Sequence, residues 1–222
     1  MNATVSLLLT ADGSHTAVNQ SLDKTYHSVH GAVQESERVY IDLGLRAAFS
    51  TFSDEPLRVF EMGFGTGLNA LLSLREAERR GRPVHYVAID AFPLALTDAR
   101  LLNYDQHLGT TYLQQLHEAP WQELVPISPF FTLTKLAGSV QELRLDERFH
   151  LIYFDAFAPT AQSELWEPAI FGKMARLLLS GGILTTYCSK SQVQRNLRAA
   201  GFRVVKHAGP SHKREVIRAI WD

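Results

Sequence analysis

Three glycines at alternate positions, Gly63, Gly65 and Gly67, separate an apolar run, Leu57–Met62, from a helix-like run, Leu68–Arg80. A buried strand that breaks into a glycine turn and then a helix leaves backbone N–H groups at the open end of a sheet, where no Cβ keeps a ligand away. The spacing narrows the ligand. A dinucleotide fold would carry G-x-G-x-x-G, with a pyrophosphate on the helix N-terminus. This loop is G-x-G-x-G, with Glu61 before it and Thr66 and Asn69 within and after it.

The rest of the chain alternates strand-like and helix-like runs, as a doubly wound α/β sheet requires. Val5–Leu9, an Asp12-Gly13 turn signal and His15–Asn19 predict a small N-terminal β-ribbon, and residues 34–50 predict a helix after an irregular, His-rich loop. Residues 84–89 read as the second core strand, closed by Asp90, which lies 23 residues beyond Gly67. An acidic residue there is placed to accept both hydroxyls of a ribose. A helix to about residue 102, a second over 107–118 and an irregular connection over 121–131 are expected next. The third and fourth strands, 131–136 and Phe149–Phe154, lead to Gly138-Ser139 and to Asp155-Ala156-Phe157-Ala158-Pro159. Helices over 168–179 and 189–200 and strands over 183–187, 202–207 and 215–220 complete seven core strands. Residues 1–52 are expected to pack on a core formed by 53–222, giving one compact domain.

Composition bounds the function. Apolar residues at 45% and charged residues at 20% are ordinary for a globular chain. The single Cys188 excludes an internal disulfide and a thiolate metal cluster, and the scattered histidines predict no metal, so a reducing cytoplasm is the expected home. No run of apolar residues is long enough to span a bilayer. The net charge of -1 hides an asymmetry: 12 Lys and Arg face 21 Asp and Glu through Ala169, and 10 face 2 from Ile170 onward. A basic C-terminal quarter suits a polyanion, because Lys and Arg displace counterions from phosphates, or is simply the solvated face of ordinary elements.

With Glu61 at the strand end, the loop resembles motif I of the Rossmann-like S-adenosylmethionine-dependent methyltransferases, whose ligand offers an ammonium and a carboxylate instead of a phosphate. The fold implied is a seven-stranded sheet with the last strand antiparallel between the fifth and sixth. More narrowly, Tyr26-His27-Ser28 with Gly31-Ala32 and Glu35, the glycine loop, Phe92-Pro93-Leu94, Asp155-Ala156-Phe157-Ala158-Pro159 with Leu165-Trp166, and Lys213-Arg214-Glu215 are similar to the methyltransferase domain of the MnmC family. The similarity runs from about Lys24 to the C-terminus. It implies N-methylation of the aminomethyl group of 5-aminomethyl(-2-thio)uridine at the tRNA wobble position. S-adenosylmethionine is the implied cofactor. Glu61, Gly63, Gly65, Gly67 and Asn69 would hold its methionine end, Asp90 its ribose and Ser139 its adenine; many relatives carry Asp at the position of Ser139.

Asp155 is then the expected catalytic carboxylate, attracting the substrate ammonium and accepting its proton. Tyr26, Phe157 and Trp166 are the expected substrate contacts: one of these rings would stack on the base, and one or another of them would block a second methylation by its packing. Lys213 and Arg214, helped by Lys190, Arg195 and Arg198, are the expected phosphate contacts. Gly209-Pro210-Ser211-His212 replaces a more glycine-rich loop of the family. The bifunctional members also carry an oxidase that makes the amine; this sheet is complete without one, so the expectation is a stand-alone methyltransferase with a possible separate oxidase, or one domain of a longer protein. A transferase acting on a small amine, by methyl or aminopropyl transfer, would share the sheet without needing the basic patch. A non-catalytic cofactor- or RNA-binding module would tolerate loss of Asp155.

Overall fold

The computed structural model describes residues 5–20, 23–53, 55–210 and 213–222. Ser211 and His212, in the loop that departs from the family pattern, lie outside the described residues. β1 (Val5–Leu9) and β2 (His15–Asn19) form the expected antiparallel ribbon, and β3 (Lys24–Thr25) extends it to three strands. One helical run over residues 32–51 follows: α1 (Ala32–Ser36), a π-helical middle, Glu37–Leu45, and α2 (Arg46–Thr51).

The core then comprises β4 (Leu57–Met62), α3 (Leu68–Arg80), β5 (Val84–Asp90), the short helices α4 (Leu96–Ala99), α5 (Tyr104–Leu108) and α6 (Leu113–Glu118), β6 (Leu124–Ser128), β7 (Phe131–Ala137), β8 (Phe149–Phe154), α7 (Pro168–Leu177), β9 (Leu178–Thr186), α8 (Ser191–Ala199), β10 (Arg203–Ala208) and β11 (Glu215–Trp221). The sheet order is β10-β11-β9-β8-β4-β5-β7-β6. β7, β5, β4, β8 and β9 run parallel, and β11 lies antiparallel between β9 and β10, the arrangement the methyltransferase resemblance implies.

Side chains alternate across the central strands because strand residues point to opposite faces in turn. Val59, Leu151 and Tyr153 join one buried cluster with the 32–51 run and α3, whereas Phe60, Ile152 and Phe154 join a second with α7 and α8. α7 starts on Pro168 and buries Ile170, Phe171, Met174 and Leu177; each such side chain contributes roughly 1.5–3 kcal/mol by leaving water.

Three expectations are corrected. The connection over 121–131 contains an additional strand, β6, paired antiparallel with β7; Pro126 is tolerated because the strand lies at the sheet edge and lacks a second partner for the missing N–H. The helix over 107–118 is divided: Gly109 takes φ 67, and Asp105 Oδ1 accepts from the Thr110 hydroxyl at 2.6 Å and the Tyr112 N–H at 3.1 Å. β9 begins at Leu178, so the helix before it ends at Leu177.

The 32–51 run is held to the sheet and to α3 by two contacts. Gly44 lies so close to β8 that a Cβ there would sit 3.0 Å from the Tyr153 ring. Arg46 donates to both oxygens of the buried Glu76, each at 3.1 Å, and Glu76 also accepts from Arg79 and Arg80 of its own helix. Hydrogen bonds from these guanidinium groups hold the Glu76 carboxyl well below the usual glutamate range despite its burial. A depressed folded pKa adds stability above the unfolded value, and that stability is lost as pH falls below it. Glu76→Gln is therefore expected to cost about 1–2 kcal/mol at neutral pH, the arginines being partly solvated. It should also flatten the stability loss below about pH 4.5, measured by urea titration at several pH values; an unchanged acid profile would contradict this role.

Candidate active site

A cavity of about 1240 Å³ opens at the carboxyl ends of the parallel strands, where ligands sit in such sheets. The glycine loop, Tyr26-His27-Ser28, residues 89–95, residues 138–141, residues 155–158, Tyr187 and Lys213 line it. All three loop glycines have positive φ, 94, 50 and 73 for Gly63, Gly65 and Gly67. At Gly65 a Cβ would meet the Tyr26 ring at 3.0 Å, so the side chain is excluded by both conformation and space.

The innermost wall is a cluster of acceptors. Asn69, in the first turn of α3, donates through Nδ2 to Glu61 Oε1 at 2.9 Å and to Asp155 Oδ2 at 2.8 Å. The Tyr40 hydroxyl donates to Asp155 Oδ1 at 2.6 Å. Burial pushes the Asp155 carboxyl above the ordinary aspartate value, against the pull of neighbouring His27 and the two hydrogen bonds. Burial pushes Glu61 well above the ordinary glutamate value. The Tyr86 hydroxyl lies beside Glu61, close enough to act on it by charge and as a hydrogen-bond donor, and neither it nor Glu61 Oε2 has another partner among the described residues. His27 is largely buried; burial lowers its pKa, and its Nε2 shares a 2.7 Å hydrogen bond with Thr66 Oγ1.

Glu61 Oε2 and Asn69 Oδ1 are buried without a hydrogen-bond partner among the described residues. Buried acceptors left unpaired are costly, and a protonated amine in the cavity, with its several donors and positive charge, fits Asn69 Oδ1 and the neighbouring Asp155 carboxylate, both on residues that line it. The residues thus suit the methionine ammonium of S-adenosylmethionine at the glycine loop. Asp90, at the end of β5, accepts from the Gly65 N–H and the Phe92 N–H, each at 2.8 Å, which fixes its carboxylate on the cavity wall with lone pairs to spare. Ser139 lines the rim; its hydroxyl donates to Gln141 Oε1 and accepts from the Gln141 N–H at 3.1 Å. Among the described residues no group of three or more His, Cys, Asp or Glu is arranged to hold a metal ion.

Of the residues expected at the substrate, Tyr26 and Phe157 meet edge to face with centroids 5.0 Å apart, and both line the cavity. Trp166 does not line it, and its expected contact with the base is corrected. It is 3% exposed among Phe154, Phe171 and Tyr187, and its indole N–H donates to the Phe157 carbonyl at 2.8 Å. Trp166 therefore braces the loop that carries Phe157. Lys213 forms an ion pair with Glu35 and lies 4.4 Å from the Tyr187 ring centre, at the cavity wall; Arg214 is exposed beside it. Lys190, Arg195 and Arg198 are also exposed. The sequence reading missed Tyr40 and the Glu35 ion pair, which join residues 115 and 178 positions apart.

Residues 120–222 match a family described as S-adenosyl-L-methionine-dependent methyltransferase. The tRNA 5-methylaminomethyl-2-thiouridine biosynthesis bifunctional protein MnmC of Stutzerimonas stutzeri is 36% identical over 208 residues, 87% of this chain and 31% of that protein. The protein of the same name from Methylobacillus flagellatus is 33% identical over 204 residues, 86% of this chain and 32% of that protein. The chain thus spans about a third of the length of the curated relatives it matches. Among solved structures, MNMC2 from Aquifex aeolicus shares the fold with a TM-score of 0.81 at 21% identity, over 100% of this chain and 71% of that one. Spermidine synthase from Thermotoga maritima shares it with a TM-score of 0.58 at 13% identity, over 99% and 72%.

Fold, cavity and family match define an S-adenosyl-L-methionine-dependent methyltransferase. Within that class, the chain is similar to the MnmC proteins, which it matches over about a third of their length.

If Asp90 holds the ribose, Asp90→Ala is expected to weaken cofactor binding by about tenfold to a hundredfold, the worth of hydrogen bonds to a charged group. Titration calorimetry with S-adenosylhomocysteine reads this directly, and an unchanged Kd would remove Asp90 from the cofactor site.

Proposed function

We propose that the protein transfers the methyl group of S-adenosylmethionine to the primary amine of 5-aminomethyluridine, with or without a 2-thio group, at the wobble position of tRNA. The observation that carries this reading is Asp155, fixed at the cavity wall by Tyr40 and Asn69, in a chain whose relatives are named for 5-methylaminomethyl-2-thiouridine biosynthesis. When bound, the cofactor supplies an electrophilic methyl group on a sulfonium.

A primary alkylamine is largely protonated near neutral pH, as a lysine is. Asp155 draws that ammonium in by charge, orients it and accepts one proton, so that the nitrogen lone pair is free to form the new N–C bond as the C–S bond breaks. Its burial-raised pKa suits proton acceptance better than an exposed aspartate would. Tyr26 and Phe157 offer the half-buried aromatic surface on which an unpaired base stacks, and their crowding limits the amine to one added methyl. Arg214, Lys190, Arg195 and Arg198 face solvent and meet phosphates, while Lys213 orders the wall through Glu35. An oxidase would supply the amine, and the cytoplasm, where tRNA is modified, is the proposed location. No helix among the described residues is long and apolar enough to cross a membrane.

Incubating the protein with methyl-labelled S-adenosylmethionine and tRNA from cells lacking the modification should place label in 5-methylaminomethyluridine on nucleoside analysis. Label appearing only in added small amines would replace the tRNA reading with a small-amine transferase. Asp155→Asn should lower kcat by about 10²–10⁴, the usual contribution of general-base catalysis, with cofactor affinity retained; full activity would point to a different base. Arg198→Ala and Arg214→Ala should each weaken tRNA binding and reduce the salt slope by about one, a change that filter-binding at graded salt would detect.

A further inference from the structure

We propose that Tyr40 is a positioning residue for methyl transfer: its hydroxyl holds the Asp155 carboxylate in one orientation and in its charged form, and the π-helical turn that carries it exists to bring that hydroxyl to the end of β8. The inference rests on the reading of Asp155 as the group that takes the amine proton.

The geometry is specific. The Tyr40 side chain is 1% exposed, its ring lies 5.1 Å from that of Tyr153, and its hydroxyl donates to Asp155 Oδ1 at 2.6 Å. Asn69 occupies the other oxygen, so the carboxylate is clamped from two elements and cannot rotate about its terminal torsion without losing both bonds. Each oxygen keeps a free lone pair for the substrate. A regular α-helix places about 3.6 residues in each turn; the π-helical segment widens that turn and redirects side chains, and such segments cluster at functional sites. Here the segment is pinned on both sides. Four residues after Tyr40, Gly44 lies against Tyr153 and Leu151, and two residues further Arg46 is bound to Glu76 of α3, the helix that carries Asn69. The two donors to Asp155 are therefore held in register with one another by an ion pair outside the site.

Removing the phenol takes a donor from the ionised carboxyl, which raises its pKa. The other groups that act on Asp155 stay in place: His27 from the N-terminal loop, Glu35 from α1 with its partner Lys213, Glu61 from β4 and Tyr187 after β9.

The test titrates the protein with ¹³C-carboxyl aspartate by NMR in the presence of S-adenosylhomocysteine, with the Asp155 resonance assigned by its loss in Asp155→Asn. Tyr40→Phe, which keeps the ring against Tyr153, should move the Asp155 midpoint up by about one pH unit. It should shift the acid limb of kcat/KM for tRNA upward by the same amount and leave the cofactor Kd unchanged. Incorporating 3-fluorotyrosine at position 40, a stronger donor, should move the midpoint down. An unmoved midpoint in both variants overturns the inference, as does a loss of activity that is equal at every pH. If the midpoint moves while the wild-type protein leaves tRNA unmethylated, the positioning role stands and the substrate reading falls. If tRNA is methylated and the midpoint stays, the positioning role alone falls.

Discussion

Two carboxylates stand at the ends of neighbouring parallel strands, Glu61 on β4 and Asp155 just beyond β8, and a single amide, that of Asn69, donates to both. Neighbouring buried like charges oppose one another, and each would shed its charge if left unpaired. The arrangement around them answers that problem chiefly with hydrogen-bond donors, with His27 acting on Asp155 by charge. The glycine turn delivers the first turn of α3, and so Asn69, between the carboxylates; the helical run over 32–51 delivers Tyr40 to the far side of Asp155. What the protein leaves unpaired is acceptor capacity: Asn69 Oδ1, on a residue that lines the cavity, and Glu61 Oε2 in the buried layer. Such a site is costly when empty of donors and favourable for an ammonium.

That demand explains why so much of the chain is devoted to stiffness. The central strands are buried on both faces, with separate apolar clusters under the helical run and α3 on one side and under α7 and α8 on the other. Close packing permits little adjustment, so the strand ends that carry Glu61, Asp90 and Asp155 hold their spacing. Trp166 shows the same logic one layer out: it touches no cavity surface, yet its hydrogen bond to the Phe157 carbonyl fixes the loop whose ring does.

Local signals exposed the parts of this design that obey local rules. The alternation of strands and helices, the glycine turn, Asp90 and Asp155 were legible because each depends on residues adjacent in sequence: a strand end, a turn and a helix start. β6 was not, since a proline in a short run is compatible with an edge strand only when a partner, here β7, is already in place. Tyr40 was invisible for a related reason. An aromatic residue on an amphipathic helix looks like core, which it also is, and nothing within ten residues on either side of it states that its hydroxyl meets a carboxylate 115 positions away. Trp166 failed in the opposite direction: its place beside the Asp155 motif suggested a substrate contact, whereas its size and apolar neighbours decide for burial.

The charge asymmetry acquires a meaning once the site is placed. The cavity wall carries Glu35, Asp90 and Asp155, with Glu61 directly beneath, and Lys213 is there engaged with Glu35. Its field favours cations, which suits an amine and a sulfonium and disfavours phosphate. The exposed cations of the C-terminal quarter, Lys190, Arg195, Arg198 and Arg214, lie at the surface, where phosphates are accessible. A nucleotide bearing an aminomethyl group presents both charges at once. On the proposed reading, opposite fields act on its two ends, so the backbone is held outside while the amine is drawn inward. The nearly neutral sum over the whole chain conceals that division, because the functional quantity is where the charges stand.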